Sequence, residues 1–261
     1  LAKWIPPIPN MDRWFSPQVT AELALIRHLT NEIASSFAHD ISNLAMSKII
    51  VRVSNQDSET RYTSREKDVP SGFTVQAFLD ALSSIETKVT RSSRIMQFAD
   101  ANFITGDSRE RMQEHIQPHS IGLVVTSPPY PNATDYHLYH RFRLFWLGYD
   151  PRNLGNIEIG SHLRHQRDGS GFSAYCDDMR QSFISIDQVL QPGRYAAFII
   201  GDAVFNGTLF STSDAIISIA KDMNYTICGI FSRPIHETKR SFSKPARRAR
   251  RTSSCRQPST P

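Results

Sequence analysis

The apolar run Ile121-Gly-Leu-Val-Val-Thr126 stops on Ser127-Pro128-Pro129-Tyr130, and that boundary restricts the fold more than any other stretch of the chain. A short apolar run bounded by turn formers predicts a buried strand. Two adjacent prolines have no amide proton for a neighbouring strand, so the ladder must end there. Proline also fixes its own φ and pushes the preceding residue toward extended geometry. The expected product is a stiff bracket at the strand's carboxyl end, presenting the Ser127 hydroxyl, the prolyl carbonyls and the Tyr130 ring in a preset arrangement. Hydrogen-bond acceptors beside an aromatic face suit a flat ring that carries an amino group, such as an unstacked nucleobase.

Around this bracket the pattern alternates between strand and helix. Strands are predicted at Asn102–Thr105, Gly122–Thr126, Tyr195–Gly201 and Tyr225–Phe231, with helices at Ala174–Leu190 and Ser213–Asn224 between them. Gln191-Pro192-Gly193 supplies the stop signal for the first of these helices. Such alternation predicts an α/β fold with a parallel sheet and ligands at the carboxyl ends of its strands. Asp107, Ser127 and Asp202 would share that rim. Upstream, Leu23, Ile26, Leu29, Ile33 and Phe37 fall on one helical stripe, a second helix is expected over Ile41–Val53, and a third over Val75–Phe98 after the Pro70-Ser-Gly72 turn. The expected organisation is a mainly helical segment (1–100), a Rossmann-like core (101–232) and a basic, disordered tail (233–261).

The charge of the chain belongs to that tail. Of a formal net +5, residues 233–261 hold nine Lys or Arg against the single Glu237, which leaves the first 232 residues at −3. Arg247-Arg-Ala-Arg-Arg251 could grip phosphates, and the same composition also reads as a solvated end. Cys176, Cys228 and Cys255 are odd in number and widely spaced, against a disulfide framework or a zinc knuckle. No window resembles a membrane span or an export signal, so a cytoplasmic location is expected, with no membrane partner. The histidine pairs His137/His140, His162/His165 and His115/His119 lack the third and fourth ligands a metal site needs, and no metal is expected. The run from His137 to Trp146 reads either as a DNA-backbone contact or as a helix with Phe142, Leu144, Phe145 and Trp146 in a core. Arg52, Asp57, Glu59 and Arg61 read either as a solvated salt-bridge cluster or as residues that help place the substrate. Arg152, Arg164 and Arg167, in the long linking loop 150–171, are candidates for selecting a target sequence.

Thr126-Ser-Pro-Pro-Tyr130 resembles the catalytic motif of the S-adenosylmethionine-dependent amino-methyltransferases that methylate exocyclic amines of DNA bases. Phe103-Ile-Thr-Gly-Asp107, Asn132-Ala-Thr-Asp-Tyr136, the segment from Arg52 to Tyr62 and Trp14-Phe15 resemble flanking parts of the same family. The resemblance implies part of a class I methyltransferase sheet and S-adenosyl-L-methionine as cofactor. Gly106, Asp107 and Thr126 would lie on the cofactor side, with Asp107 near the adenine amine. Ser127, Pro128, Pro129 and Tyr130 would form the catalytic bracket: Ser127 and the Pro128 carbonyl hold the target amine, and Tyr130 stacks on the flipped base. Asn132, Asp135 and Tyr136 would contact the substrate. Serine in the first motif position implies cytosine N4 in double-stranded DNA, and a cognate restriction endonuclease is an implied partner. The chain departs from the family in having no glycine before Gly72 and no Phe-x-Gly-x-Gly turn, the usual cradle of the methyl donor. It is therefore read as a piece whose upstream strands and turn are missing. Adenine-N6, RNA or protein-amide methylation remain alternatives, as does an inactive nucleic-acid-binding remnant.

Overall fold

A computed structural model of the chain describes residues 1–59, 61–95, 99–110, 112–131, 135–161, 171–205, 208–233 and 250–251. Helices and strands follow in the order α1 (Met11–Trp14), α2 (Pro17–Asn31), α3 (Ser36–Val53), β1 (Gln56–Ser58), β2 (Arg61–Ser64), α4 (Phe73–Ile95), α5 (Met112–His115), β3 (Ile121–Thr126), α6 (Tyr136–Tyr139), α7 (Arg141–Trp146), α8 (Pro151–Ile157), α9 (Gly171–Val189), β4 (Leu190–Phe198), β5 (Ala203–Phe205), β6 (Thr208–Phe210), α10 (Thr212–Asp222) and β7 (Arg250–Arg251). They form a mixed α/β protein of two compact units, one comprising 1–102 with 136–155 and the other 103–135 with 156–261.

In the first unit, α2 and α3 start where serines can cap them. Ser16 Oγ accepts from the Val19 amide at 3.3 Å and Ser35 Oγ from the Ala38 amide at 3.4 Å, each contact worth about 1 kcal/mol. The chain turns at Glu32–Ser35, which breaks the single stripe expected from Leu23 to Phe37. Leu23 and Ile26 are buried, whereas Leu29 and Phe37 are more than half exposed. The core joins Phe15, Leu23, Met46, Ile50 and Ile85 to Phe142 and Trp146. Phe142 and Trp146 meet the Phe15 ring edge-on, at 5.3 and 5.8 Å between centroids. The run after Tyr136 therefore serves as packing for this helical unit, whereas the sequence placed it in the α/β segment. In the mixed-charge loop, Glu59 pairs with Arg143 and the Arg52 guanidinium lies 4.8 Å over the Phe73 ring.

In the second unit, β3 and β4 pair in parallel, with Leu123, Val124, Val125 and Thr126 opposite Tyr195, Ala196, Ala197 and Phe198. The ladder is interrupted between Ile121 and Leu123, where Gln191–Arg194 carry the predicted stop signal and Gly193 takes φ +75. One face of this sheet is covered. There Phe198 stacks on Phe183 of α9 at 4.6 Å with an 8° interplanar angle, within a cluster that includes Met179, Ile216 and Ile219. The other face is bare among the described residues: Leu123, Val125, Tyr195 and Ile199 are each more than half exposed. Antiparallel β5 and β6 follow, and Arg250–Arg251 pair in parallel with Thr208–Leu209, so these two residues of the expected disordered tail are placed in a strand.

Two predicted strands are not strands. Asn102–Thr105 and Tyr225–Phe231 are irregular, with Phe103 and Phe231 almost fully exposed. Their apolar residues suit a pleated surface, but a strand exists only by pairing, and among the described residues β3 pairs with β4 alone. No described helix is long and apolar enough to cross a membrane.

Candidate functional site

The β3–β4 ladder ends with Thr126 beside Phe198, and the chains leave the sheet together. The Ile199 amide donates to the Thr126 carbonyl at 2.9 Å, which extends the alignment one step past the ladder. Ser127 is the first residue beyond it on one side and Ile199 on the other. The Ser127 hydroxyl donates to the Ile199 carbonyl at 3.4 Å and lies 3.2 Å from the Tyr130 hydroxyl. One proton arrangement satisfies both contacts: Tyr130 donates to Ser127, and Ser127 donates to Ile199. It leaves a Ser127 lone pair directed to an incoming N–H.

The prolines act as the sequence reading required. Pro128 is buried, Pro129 and Tyr130 are half-buried, and Ser127 is exposed. The bracket is thus rooted in the unit while its polar edge faces solvent. Gly201 lies alongside the Tyr130 ring, and a Cβ there would stand at an ordinary contact distance of 3.8 Å, so this position does not require glycine. The next residue, Pro131, is buried and held by Gly160. A Cβ at Gly160 would come within 3.2 Å of the Pro131 Cα and 3.3 Å of the Tyr175 ring, and φ at Gly160 is +74. Only glycine fits this approach without strain.

The remaining predicted residues lie in different settings. Thr126 is half-buried at the end of β3. Asp135 is buried and accepts from Ser161 Oγ at 2.7 Å. Tyr136 opens α6 in the helical unit, and Asn132 lies outside the described residues, as do His162, Arg164, His165, Arg167, Arg247–Arg248 and Cys255. Asp202, just past β4, is exposed, as is Gly106. Arg152 is paired with Asp150 at 3.1 Å. Among the described residues no group of three or more His, Cys, Asp or Glu is placed to hold a metal ion.

Asp107 is engaged by a residue that the sequence reading passed over. Arg109 donates through its amide and Nε to Oδ1, at 2.9 and 3.0 Å, and through Nη2 to Oδ2 at 2.6 Å. The same guanidinium reaches Asp178 of α9 at 2.5 Å and the Ile157 carbonyl at 3.0 Å. Hydrogen bonds donated to Asp107, outweighing the opposing effect of burial, with a further contribution from Asp178, push the Arg109 pKa above its ordinary value, so the cation is permanent. A carboxylate bound through both oxygens is a poor receptor for an adenine amine, and no described glycine belongs to a Phe-x-Gly-x-Gly turn. The described residues therefore do not fit S-adenosylmethionine as a bound group. At the rim itself, Ser127 is exposed.

Comparison with protein-family models, with curated proteins and with solved structures finds no match. The function must therefore be argued from the rim.

Proposed function

We propose that the rim formed by Ser127, Tyr130 and the Ile199 carbonyl receives the exocyclic amine of an unstacked base, and that the chain is part of an S-adenosylmethionine-dependent DNA N-methyltransferase with a Rossmann-like core and cytosine N4 as its target. The observation that carries this reading is the chain of hydroxyls from Tyr130 to Ser127 to Ile199 at the carboxyl end of two parallel strands. In open α/β sheets that end is where ligands bind.

A cytosine N4 amine is a weak nucleophile because its lone pair is delocalised into the ring. Hydrogen bonding of the amine protons to Ser127 Oγ and to the Pro128 carbonyl would hold that lone pair out of the ring plane. Tyr130, fixed through its own hydroxyl, would present its face to the base, a contact worth about 1–3 kcal/mol per stacked base. S-adenosylmethionine supplies an electrophilic methyl group when bound. The work of this chain's residues is to position the amine, a purely geometric and electrostatic contribution.

The test is transfer of labelled methyl from S-adenosylmethionine to duplex DNA, together with calorimetric titration of the cofactor. Because the described residues offer no cradle for the methyl donor, transfer is expected only when a cofactor-binding turn is supplied in trans; label then falls at cytosine N4, and Ser127→Ala and Tyr130→Ala each lower it at least tenfold. Label at adenine N6 would move the target within the same chemistry. Transfer that survives both substitutions would overturn the assignment. The second reading, an inactive nucleic-acid-binding remnant, is favoured by the engagement of Asp107 with Arg109. It expects no heat with the cofactor.

A further inference from the structure

The last part of α4 is exposed on every side. From Glu86 to Arg94 each residue is solvent-exposed, including Val89 at 43%. Lys88, Arg91 and Arg94 recur at intervals of three along this stretch, and Glu86 is its only carboxylate. Residues three apart are neighbours on a helix surface, so the three cations repel one another. None of them has an ion-pair partner among the described residues. A favourable interaction with the negative helix end accounts for Arg94, but that effect is confined to the last turn and leaves Lys88 unexplained. A helix that is polar all round and has no stabilising pairs needs something against it.

We propose that this face of α4 is a docking surface for the phosphate backbone of duplex DNA, which deepens the proposed function by naming a contact of the same partner. The argument is charge complementarity. Lys88 to Arg94 spans roughly 9 Å of helix axis. One strand of B-DNA presents a phosphate about every 3.4 Å of duplex axis, so the three cations match two or three consecutive phosphates. The shallow depressions along this face are lined by hydroxyls and cations, the side chains that most often hold phosphate oxygens, together with one carboxylate each, Asp80 and Glu86, so that cations outnumber carboxylates in both. Thr87 donates to the Ser83 carbonyl at 2.8 Å and Ser93 to that of Thr90 at 3.0 Å. The protons left for phosphate come from the cations and from Ser83, Ser84 and Thr90. Such contacts fix register on a duplex without reading sequence.

The experiment measures affinity of the full chain for a fluorescent duplex between 0.05 and 0.3 M salt, for the wild type, for Lys88→Gln/Arg91→Gln/Arg94→Gln, and for a control, Lys3→Gln/Lys48→Gln/Arg65→Gln, which removes three exposed cations elsewhere in the same unit. Glutamine retains helix propensity, and circular dichroism checks that each variant folds. The α4 variant is expected to bind at least tenfold more weakly at low salt and to flatten the slope of log affinity against log salt by about 2–3, while the control changes it little. Equal losses in both variants would show a general effect of net charge and overturn the surface. So would an unchanged α4 variant, a wild type that binds no duplex, or loss of polyglutamate binding with duplex binding intact, which would assign the face to an acidic protein. The methyl-transfer assay is scored separately. Duplex binding that depends on α4 leaves this surface standing whatever the transfer assay gives.

Discussion

Arg109 is the residue on which the loop after position 105 depends. Its guanidinium ties Asp107, Asp178 and the Ile157 carbonyl together at 13–16% side-chain exposure, and its own carbonyl accepts from Ser185 Oγ at 2.7 Å. Arg109→Gln is expected to destabilise the chain by about 3 kcal/mol, read as a lowered urea midpoint, because it leaves two carboxylates close together in a half-buried site. Arg109→Lys should recover little, since an ammonium cannot span the fork. A second residue-scale expectation concerns alkaline pH. Burial, reinforced by the hydrogen bond to Asp187 at 2.7 Å and by that carboxylate's charge, raises the Tyr225 pKa above its ordinary value. A raised folded-state pKa means that the stabilisation is complete below about pH 10, the unfolded value, and is lost as pH rises beyond it. Tyr225→Phe should remove that decline from the difference between the two unfolding curves. At this scale the sequence was informative where contacts are local. Ser127, the prolines and Tyr130 lie within four positions, and proline restricts its own neighbourhood. The long-range partners, Ile199 at Ser127 and Gly160 against Pro131, are tens of residues away, and no local rule points to them.

At the scale of elements, helices were legible because their determinants are short-range. Apolar periodicity located α2, though the stripe was carried past its end at Asn31 to Phe37, and the Pro70-Ser-Gly72 turn located the start of α4. The long-range part of that start is Glu22 of α2. It accepts from the Gly72 amide at 2.8 Å and the Thr74 amide at 3.1 Å, two donors that a helix start leaves without an intrahelical partner. Burial opposes ionisation of Glu22, but bonds from Gln18 and from these two amides outweigh it and hold the pKa below the usual carboxylate range. A depressed pKa stabilises above the unfolded value near 4.3 and stops doing so as pH falls through the folded one. Glu22→Gln is expected to lower stability by about 1 kcal/mol at neutral pH and by less in acid, measurable by thermal melts at several pH values. Strands were less legible. Short apolar runs found β3 and β4, which pair, although no residue of β3 is buried as that reading expected, and equally Asn102–Thr105 and Tyr225–Phe231, which do not pair among the described residues. A single sequence carries pleat preference, while pairing is a property of what lies alongside.

On the scale of the whole chain, the β3–β4 sheet is finished on one side only. Parallel sheets are ordinarily covered on both faces, yet here Phe183 and its neighbours cover one face and the opposite face offers Leu123, Val125 and Tyr195 to solvent. The two faces should respond oppositely to substitution. Phe183→Ala removes a ring that is 2% exposed and stacked on Phe198, and is expected to cost about 3–5 kcal/mol, enough to unfold a marginal domain. Leu123→Thr/Val125→Thr/Tyr195→Thr keeps β-branched or strand-compatible residues at exposed positions. It should change stability by no more than about 0.5 kcal/mol per site while reducing binding of a hydrophobic dye and any self-association at high concentration. If instead the triple variant were as destabilised as Phe183→Ala, the bare face would have to be buried in solution. The two-stranded sheet would then be the wrong description of how this chain holds its Ser127 rim in place.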